Sequence, residues 1–313
     1  MDLCPESLWA DLCRDDASST FYQTPAWHRI AARHYHAESV PMLFRFGGVS
    51  ACLPLLKTRR WGRDHFFCPF GTYSALVCPE KLGDADLDSV SAGLKGLKLH
   101  LISSPFTQNS VSVGKRLISK TQVIDLTSLD PENPQCDWER DARRRVRHAM
   151  HEGIQIREAG TQADWDRYHE LYRASLNRWG DKATVEYPKA LFEDIRRSLE
   201  NSSSMRLWVA EQKGETGVAM LVFYHNRHVV AWHAGTEKRF FPLGAMQLLF
   251  FTLIEDARRR GFSVFDFAGS GGLAGVEAFK RQFGAQTLEY ESSLNRPGFL
   301  GFLAGLRDAW IKR

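Results

Sequence analysis

Residues 206–267 read RLWVAEQKGETGVAMLVFYHNRHVVAWHAGTEKRFFPLGAMQLLFFTLIEDARRRGFSVFDF, and this stretch decides the fold. It opens with three apolar bursts, Arg206 to Glu211, Val218 to Tyr224 and His228 to Ala234, the first two separated by the turn-rich Lys213-Gly214-Glu215-Thr216-Gly217. Short bursts bounded by turn formers predict strands, and three in succession predict an antiparallel meander. Leu243 to Arg260 then has helical character and stops at Gly261, and Ser263 to Phe267 has the aromatic, apolar make-up of a buried strand. A crossover of that kind predicts a parallel strand pair.

Upstream, Trp138 to His151 reads as a helix stopped by Gly153 in the C′ position, followed by a short strand, Ile154 to Glu158. Two further helices are predicted, Gln162 to Asn177 and Pro188 to Asn201, the second with proline in its first turn, where the missing N–H costs little. Downstream come a helix from Gly275 to Phe283, a strand from Thr287 to Ser293 and a final helix from Phe299 to Ile311. This order of elements predicts an α+β layer around one mixed sheet. The turn-forming Asp130-Pro131-Glu132-Asn133-Pro134 suggests a break, which puts the domains at residues 1–130 and 131–313. In the first half, Pro25 to Tyr35 reads as a helix, Met42 to Phe46 and Ala51 to Leu56 as a hairpin about Gly47-Gly48, and Leu97 to Ile102 and Thr121 to Leu126 as strands.

With 313 residues, 43% of them hydrophobic and 25% charged, the chain can bury one large core or two medium ones. Its longest apolar runs, such as Leu248 to Ile254, fall far short of a membrane span of about 20 residues. The amino-terminal MDLCPESLWADLCRDD is acidic where a secretory signal is basic, so a cytoplasmic protein is expected. Six cysteines without a CxxC pair read as reduced, mostly buried thiols. A net charge of +4 does not identify a nucleic-acid binder, and no DNA partner is expected. The densest basic run, Arg140, Arg143, Arg144, Arg145 and Arg147, lies in mid-chain.

Several phrases then take on a common meaning: Phe21-Tyr22-Gln23-Thr24-Pro25-Ala26-Trp27, Leu53-Pro54-Leu55, the basic helix ending in Gly153, Gly261 to Phe267 with Asp266, and Gly272-Leu273 followed by Phe279-Lys280-Arg281-Gln282-Phe283-Gly284. In their order and spacing they resemble the FemAB-like branch of the GNAT acyltransferases, the peptidoglycan aminoacyltransferases and their relatives in polysaccharide biosynthesis. The resemblance implies two GNAT-like domains in tandem, each with a mixed, mainly antiparallel sheet flanked by helices. The GNAT phosphate loop, Gln/Arg-x-x-Gly-x-Gly/Ala, corresponds here to Arg239-Phe240-Phe241-Pro242-Leu243-Gly244-Ala245, which keeps one glycine and the alanine. That departure weighs against acetyl-CoA. The lack of the long helical hairpin that some family members carry for tRNA weighs against an aminoacyl-tRNA donor.

Acyl transfer to an amine needs a neutral amine, a route for its proton and a group that stabilises the oxyanion. Lys280 is the candidate for the last role, because the resemblance places a lysine of this phrase near the reacting carbonyl. The alternative is a surface ion pair with Glu277 at i,i+3, and Glu277 is grouped with Lys280 as a candidate catalytic residue. Asp266, inside an apolar strand, suits a proton acceptor, since desolvation raises a carboxylate's pKa, and it also suits a cap for the Gly269-Ser270-Gly271-Gly272 turn. Trp232 and His233 on the central strand, Gly244 at a helix start, Phe279, Arg178 beside Trp179, and Arg147 as the arginine of its cluster that turns inward toward phosphate complete the candidate substrate-binding set, with His233 read either as a proton acceptor near neutral pH or as a hydrogen-bonded core residue. No metal site is expected, since His148, His151 and Glu152 do not form HExxH.

These readings predict a transferase: an N-acyltransferase or aminoacyltransferase of cell-envelope or exopolysaccharide biosynthesis, in which an amine of a lipid-linked or soluble sugar or peptide precursor attacks an activated acyl donor. The donor is acyl-CoA, acyl carrier protein or aminoacyl-tRNA, and no cofactor is held tightly. Tryptophan- and phenylalanine-rich packing of the last helix on the domain has peripheral membrane contact as its alternative. A catalytically silent GNAT-like binding module in a polysaccharide-synthesis system is the competing function, and tRNA or other RNA binding through the arginine cluster is a third.

Overall fold

The computed structural model describes residues 2–60, 62–130, 132–180 and 186–296, with the side chains of Arg60 and Trp179 left out. The predicted helix over residues 299–311 lies outside the described residues. In chain order the elements are β1 (Asp2–Leu3), α1 (Glu6–Asp15), α2 (Pro25–Tyr35), β2 (Glu38–Phe46), β3 (Val49–Arg60), β4 (Arg63–Phe67), α3 (Asp84–Leu94), β5 (Lys98–Ile102), β6 (Lys115–Asp125), α4 (Arg140–His151), β7 (Gln155–Ala159), α5 (Gln162–Trp179), α6 (Lys189–Leu199), β8 (Met205–Gln212), β9 (Glu215–His225), β10 (His228–Thr236), α7 (Ala245–Arg259), β11 (Val264–Gly269), α8 (Ala274–Arg281) and β12 (Gln286–Asn295).

These fall into two compact units. The first comprises residues 1–119 and 289–313, the second residues 120–288, so the chain passes between units at 119–120 and again at 288–289. The sequence reading has one passage, near residue 130. Turn formers do collect at 130–134, but strand pairing, not turn composition, decides which unit a segment joins.

In the first unit β1 to β4 pair antiparallel in sequence, β4 and β5 run parallel, and β5 pairs antiparallel with β12 through Ser292 opposite Ile102. Helix α2 starts where local chemistry says it should. Thr24 accepts the Trp27 N–H, and Pro25 supplies the first turn's fixed φ. Trp27 is then fully buried, its indole N–H donated to the Thr72 hydroxyl at 3.1 Å. Helix α1 buries Trp9, Leu12 and Cys13 against Cys4, Leu43, Cys52 and Val77. Five of the six cysteines are buried free thiols and Cys136 is exposed.

The second unit repeats the pairing scheme. Strands β7 to β10 form an antiparallel meander, β10 and β11 run parallel across the α7 crossover, and β11 pairs antiparallel with residues 121–125 of β6. The predicted meander and the predicted parallel pair are both present. Each unit thus takes its sixth strand from the segment that chain order would assign to the other. Helices α4, α7 and α8 cover one face of this sheet, burying Val146, Leu249, Leu253, Phe265, Phe267 and Phe283 in a common core. Full burial of each such side chain contributes about 1.5–3 kcal/mol. Helix α5 lies against β9 and β10.

Candidate active site

Strands β10 and β11 pair only at His228–Val264, Val229–Phe265 and Val230–Asp266. Beyond those pairs β10 runs on to Thr236 and β11 to Gly269 without a further pair between them. On the other edge of β11 the register with β6 shifts between Asp266 and Gly269. The short segment Phe267–Ala268 is therefore loosened on both edges, and Ala268 adopts φ +57°, a conformation that costs a non-glycine residue free energy.

This twist turns two carbonyls toward α8. Lys280 Nζ donates to Ala268 O at 2.7 Å and to Gly269 O at 3.1 Å. The side chain is buried, 6% exposed. Burial pushes its pKa down to about 8, against the opposing pull of the Asp266 and Glu277 charges. Among the described residues no carboxylate lies within ion-pair distance of it, so the surface pair with Glu277 is not formed. Glu277 sits half-buried in the first turn of α8 and acts on Lys280 through its field.

Asp266 is fully buried, and its Oδ1 accepts the Thr121 hydroxyl at 2.6 Å and the Ala268 N–H at 2.8 Å. Of the two roles read for Asp266, the bond from the Ala268 N–H fits the cap on the following turn. The same carboxylate holds Ala268 in the conformation that presents its carbonyl to Lys280.

Trp232 is the extra residue of a bulge between Ala231 and His233, where β10 shifts register against β9. The bulge carries His233 toward α5, where Tyr168 OH meets Nδ1 at 2.6 Å and the Tyr172 ring lies 4.4 Å away. Phe192 and Trp232 complete the aromatic enclosure at 5.7 Å each. Desolvation pushes the His233 pKa down to about 3, so the ring is neutral near pH 7. Of the two readings open to His233, a proton acceptor or a hydrogen-bonded core residue, these contacts fit the second. Trp232 itself stacks near Tyr187, at 5.5 Å. Arg178 fastens the end of α5 to the end of β10, donating to Thr236 O and Ser175 Oγ at 3.1 Å each and lying over the Phe241 ring. The side chain of Trp179 lies outside the described residues.

Three candidates are placed elsewhere. Arg147 does not turn inward: α4 buries Ala142, Val146 and Ala149, and a residue next to Val146 points about 100° away, into solvent. Phe279 packs against Phe283 at 5.3 Å and Phe250 at 6.1 Å, as part of the core. Gly244, at φ +72°, lies where α7 meets α4: a Cβ there would stand 2.5 Å from Arg145 O, so glycine is required by close helix approach.

Sequence reasoning missed Thr121, Gln122, Ser270 and Tyr168. Thr121 and Gln122 stand more than 140 residues from their partners, Asp266 and Ser270, and no local pattern marks them. A cavity of about 550 Å³, bordered by Trp165, Arg196, Arg206 and Glu158, lies on the β7–β8 edge and does not include Lys280. Among the described residues no cluster of His, Cys, Asp and Glu could hold a metal ion, and no helix is long and apolar enough to cross a membrane.

Comparison with known proteins places this geometry. Residues 138–281, from the approach to α4 through Arg281, match the family model described as an acetyltransferase (GNAT) domain. No curated protein matches the chain. Among solved structures, FemX superposes with a TM-score of 0.70 at 11% identity, covering 93% of this chain and 96% of FemX. The C-terminal domain of a putative lysylphosphatidylglycerol synthetase from Agrobacterium fabrum gives 0.57 at 11% identity, covering 98% and 97%. L-PGS from Bacillus licheniformis gives 0.50 at 12% identity, covering 84% and 87%. Residues 138–281 therefore match a GNAT acetyltransferase domain, and the chain that carries them has the fold of FemX.

Proposed function

We propose that the protein is an N-acyltransferase or aminoacyltransferase that acylates an amine of a cell-envelope or exopolysaccharide precursor by direct aminolysis of an activated donor. The observation that carries the reading is the buried Lys280 ammonium: two of its N–H groups are anchored on carbonyls, and the third has no partner among the described residues. An ammonium so fixed can stabilise an oxyanion without reorganising.

The reaction runs where β10 and β11 part. The acyl donor lies along the unpaired backbone beyond Val230 and Asp266, the amine nitrogen attacks its carbonyl carbon, and the carbonyl π electrons move onto oxygen, facing Lys280. Collapse expels the donor's thiolate, or its ribose hydroxyl if the donor is aminoacyl-tRNA. The proton lost by nitrogen leaves with that group or with water. Trp232, His233 and Arg178 border the amine's side, with His233 acting as a neutral hydrogen-bonding group.

We read the two units as a duplicated GNAT-like pair, because their strand-pairing schemes correspond. Their parallel pairs differ in one respect that favours the second unit as the reactive one. In the first, Cys68 Sγ, just past β4, meets both His100 O at 3.4 Å and the Ile102 N–H at 3.1 Å. The gap beyond that parallel pair is stitched by the chain's own thiol.

The test is a mass-spectrometric turnover assay. Acyl-CoAs, acyl carrier protein thioesters and charged tRNAs are paired with amino-sugar nucleotides and peptide precursors. An acylated amine from the wild type, with kcat down about 100-fold in Lys280→Ala, is the expected result. Binding of these ligands without product under every pairing would move the assignment to a silent binding module.

A further inference from the structure

Gln122 belongs to β6, one residue beyond Thr121, which stands opposite Gly269. Its side chain is fully buried. One end of its amide is fixed: Oε1 accepts the Ser270 hydroxyl at 2.8 Å. The other end, Nε2, is buried and has no hydrogen-bond partner. Turning the amide over would let Nε2 meet Ser270 and leave Oε1 as the unpaired atom, so either orientation strands one polar atom. Buried donors are seldom left so, because a stranded one keeps the full cost of desolvation, and an unpaired group in a native structure calls for a reason.

The place supplies one. The Ala268–Ser270 segment is held from α8 by Lys280, through the carbonyls of Ala268 and Gly269, and from β6 by Gln122, through the hydroxyl of Ser270. A charged donor with one open N–H and a neutral donor with none of its N–H groups used are thus set on the same short turn. Among the described residues nothing accepts a hydrogen bond from Gln122 Nε2.

We propose that Gln122 is a substrate-binding residue whose Nε2–H donates a hydrogen bond to the carbonyl oxygen of the acyl group being transferred, as the neutral partner of the Lys280 ammonium. This rests on the acyl-transfer reading above. Two donors on one oxygen fit a carbonyl that becomes an oxyanion. The neutral one strengthens its bond as charge builds, without the desolvation cost of a second buried cation. Ser270, by holding Oε1, fixes which end of the amide faces the substrate.

Two substitutions separate this role from a structural one. Gln122→Glu keeps an acceptor for Ser270 and replaces the donor by a second acceptor. Gln122→Met keeps the length and volume and removes the unpaired polar atom. With the donor and acceptor pair found by the turnover assay, both variants are expected to lose about 100-fold in kcat with KM within about threefold, the size of effect seen when one oxyanion donor is removed. Gln122→Met is expected to melt at or above the wild-type temperature.

Full activity in Gln122→Glu would overturn the proposal and leave the acyl-transfer reading standing, since the Ser270 contact alone would then account for the residue. A markedly lower melting temperature for Gln122→Met would also overturn it, showing an amide kept for stability. A wild type without turnover on any pair would instead remove the acyl-transfer reading, and the carbonyl assignment with it.

Discussion

Lys280 is the residue where stability and activity pull against each other. Its pKa of about 8 in the folded protein lies below the ordinary lysine value of 10.5. Below pH 8 folded and unfolded chains both carry the proton, and the folded chain bears the whole cost of a buried ammonium. Between pH 8 and 10.5 the folded chain has released the proton while the unfolded chain still holds it, so stability rises with pH. The difference of 10.5 and about 8 corresponds to about 3 kcal/mol. Denaturant titration should therefore show wild type gaining about that much relative to Lys280→Met between pH 7 and 10.5, and a constant difference would refute the buried, shifted ammonium. Activity should move the other way. The ammonium is the working form, so kcat falls along an alkaline limb near pH 8, and Lys280→Arg, whose guanidinium stays charged, should lack that limb. The lysine was legible in the sequence through its phrase, Phe279-Lys280-Arg281-Gln282-Phe283-Gly284. Its partners were not, because they are backbone carbonyls exposed by a left-handed alanine, and no residue type advertises that conformation. For His233 the sequence leaves a proton acceptor and a hydrogen-bonded core residue both open, and the enclosing rings of Tyr168, Tyr172 and Phe192 decide for the second.

At the scale of elements, helices are legible where composition and apolar spacing agree with a proline start or a glycine stop. Helix α2 runs from Pro25 to Tyr35, as Thr24, Pro25 and the apolar spacing predict. Helices α1 and α3 are not legible in this way. Their N-cap residues, Pro5 and Gly83, make no side-chain capping bond, and α3 is only weakly amphipathic, so tertiary packing supplies what local chemistry does not. Helix α5 depends on a contact that its own sequence does not reveal. Gly235 in β10 has no side chain, and a Cβ there would stand 2.7 Å from the backbone of Leu171 and Tyr172. The glycine thus sets how closely α5 approaches β10, and with it the 2.6 Å contact between Tyr168 and His233. Backbone cannot swing aside as a flexible side chain can. Gly235→Ala should therefore destabilise the protein by about 1–3 kcal/mol, as overpacking does. It should also weaken binding of the amine substrate more than it lowers kcat, because Lys280 lies on the far side of the β10–β11 gap. A thermal melt at the wild-type temperature would show that α5 does not rest on this glycine.

For the whole molecule, the division into units is the feature least visible in the sequence. The residues 130–134 look like a linker, yet the strand that completes the second unit lies before them. Local signals report turns, whereas the pairing of Ile124 with Phe265 joins positions far apart in the chain and depends on a register that only the folded sheet specifies. A fragment of residues 131–288 would keep the meander, α7, β11 and α8 but lose Thr121 to Asp125. Strand β11 would then be held by three parallel pairs alone, Asp266 would lose the Thr121 hydroxyl, and the core would lose Ile124, Leu126 and Leu129. Three buried aliphatic side chains at about 1.5–3 kcal/mol each amount to roughly 5–9 kcal/mol, comparable with the whole stability of an ordinary domain. Circular-dichroism melting should accordingly show a cooperative transition for residues 120–288 and none for residues 131–288. Equal cooperative melts for the two would mean that the second unit is complete without β6, and that the break at residue 130 is a unit boundary after all.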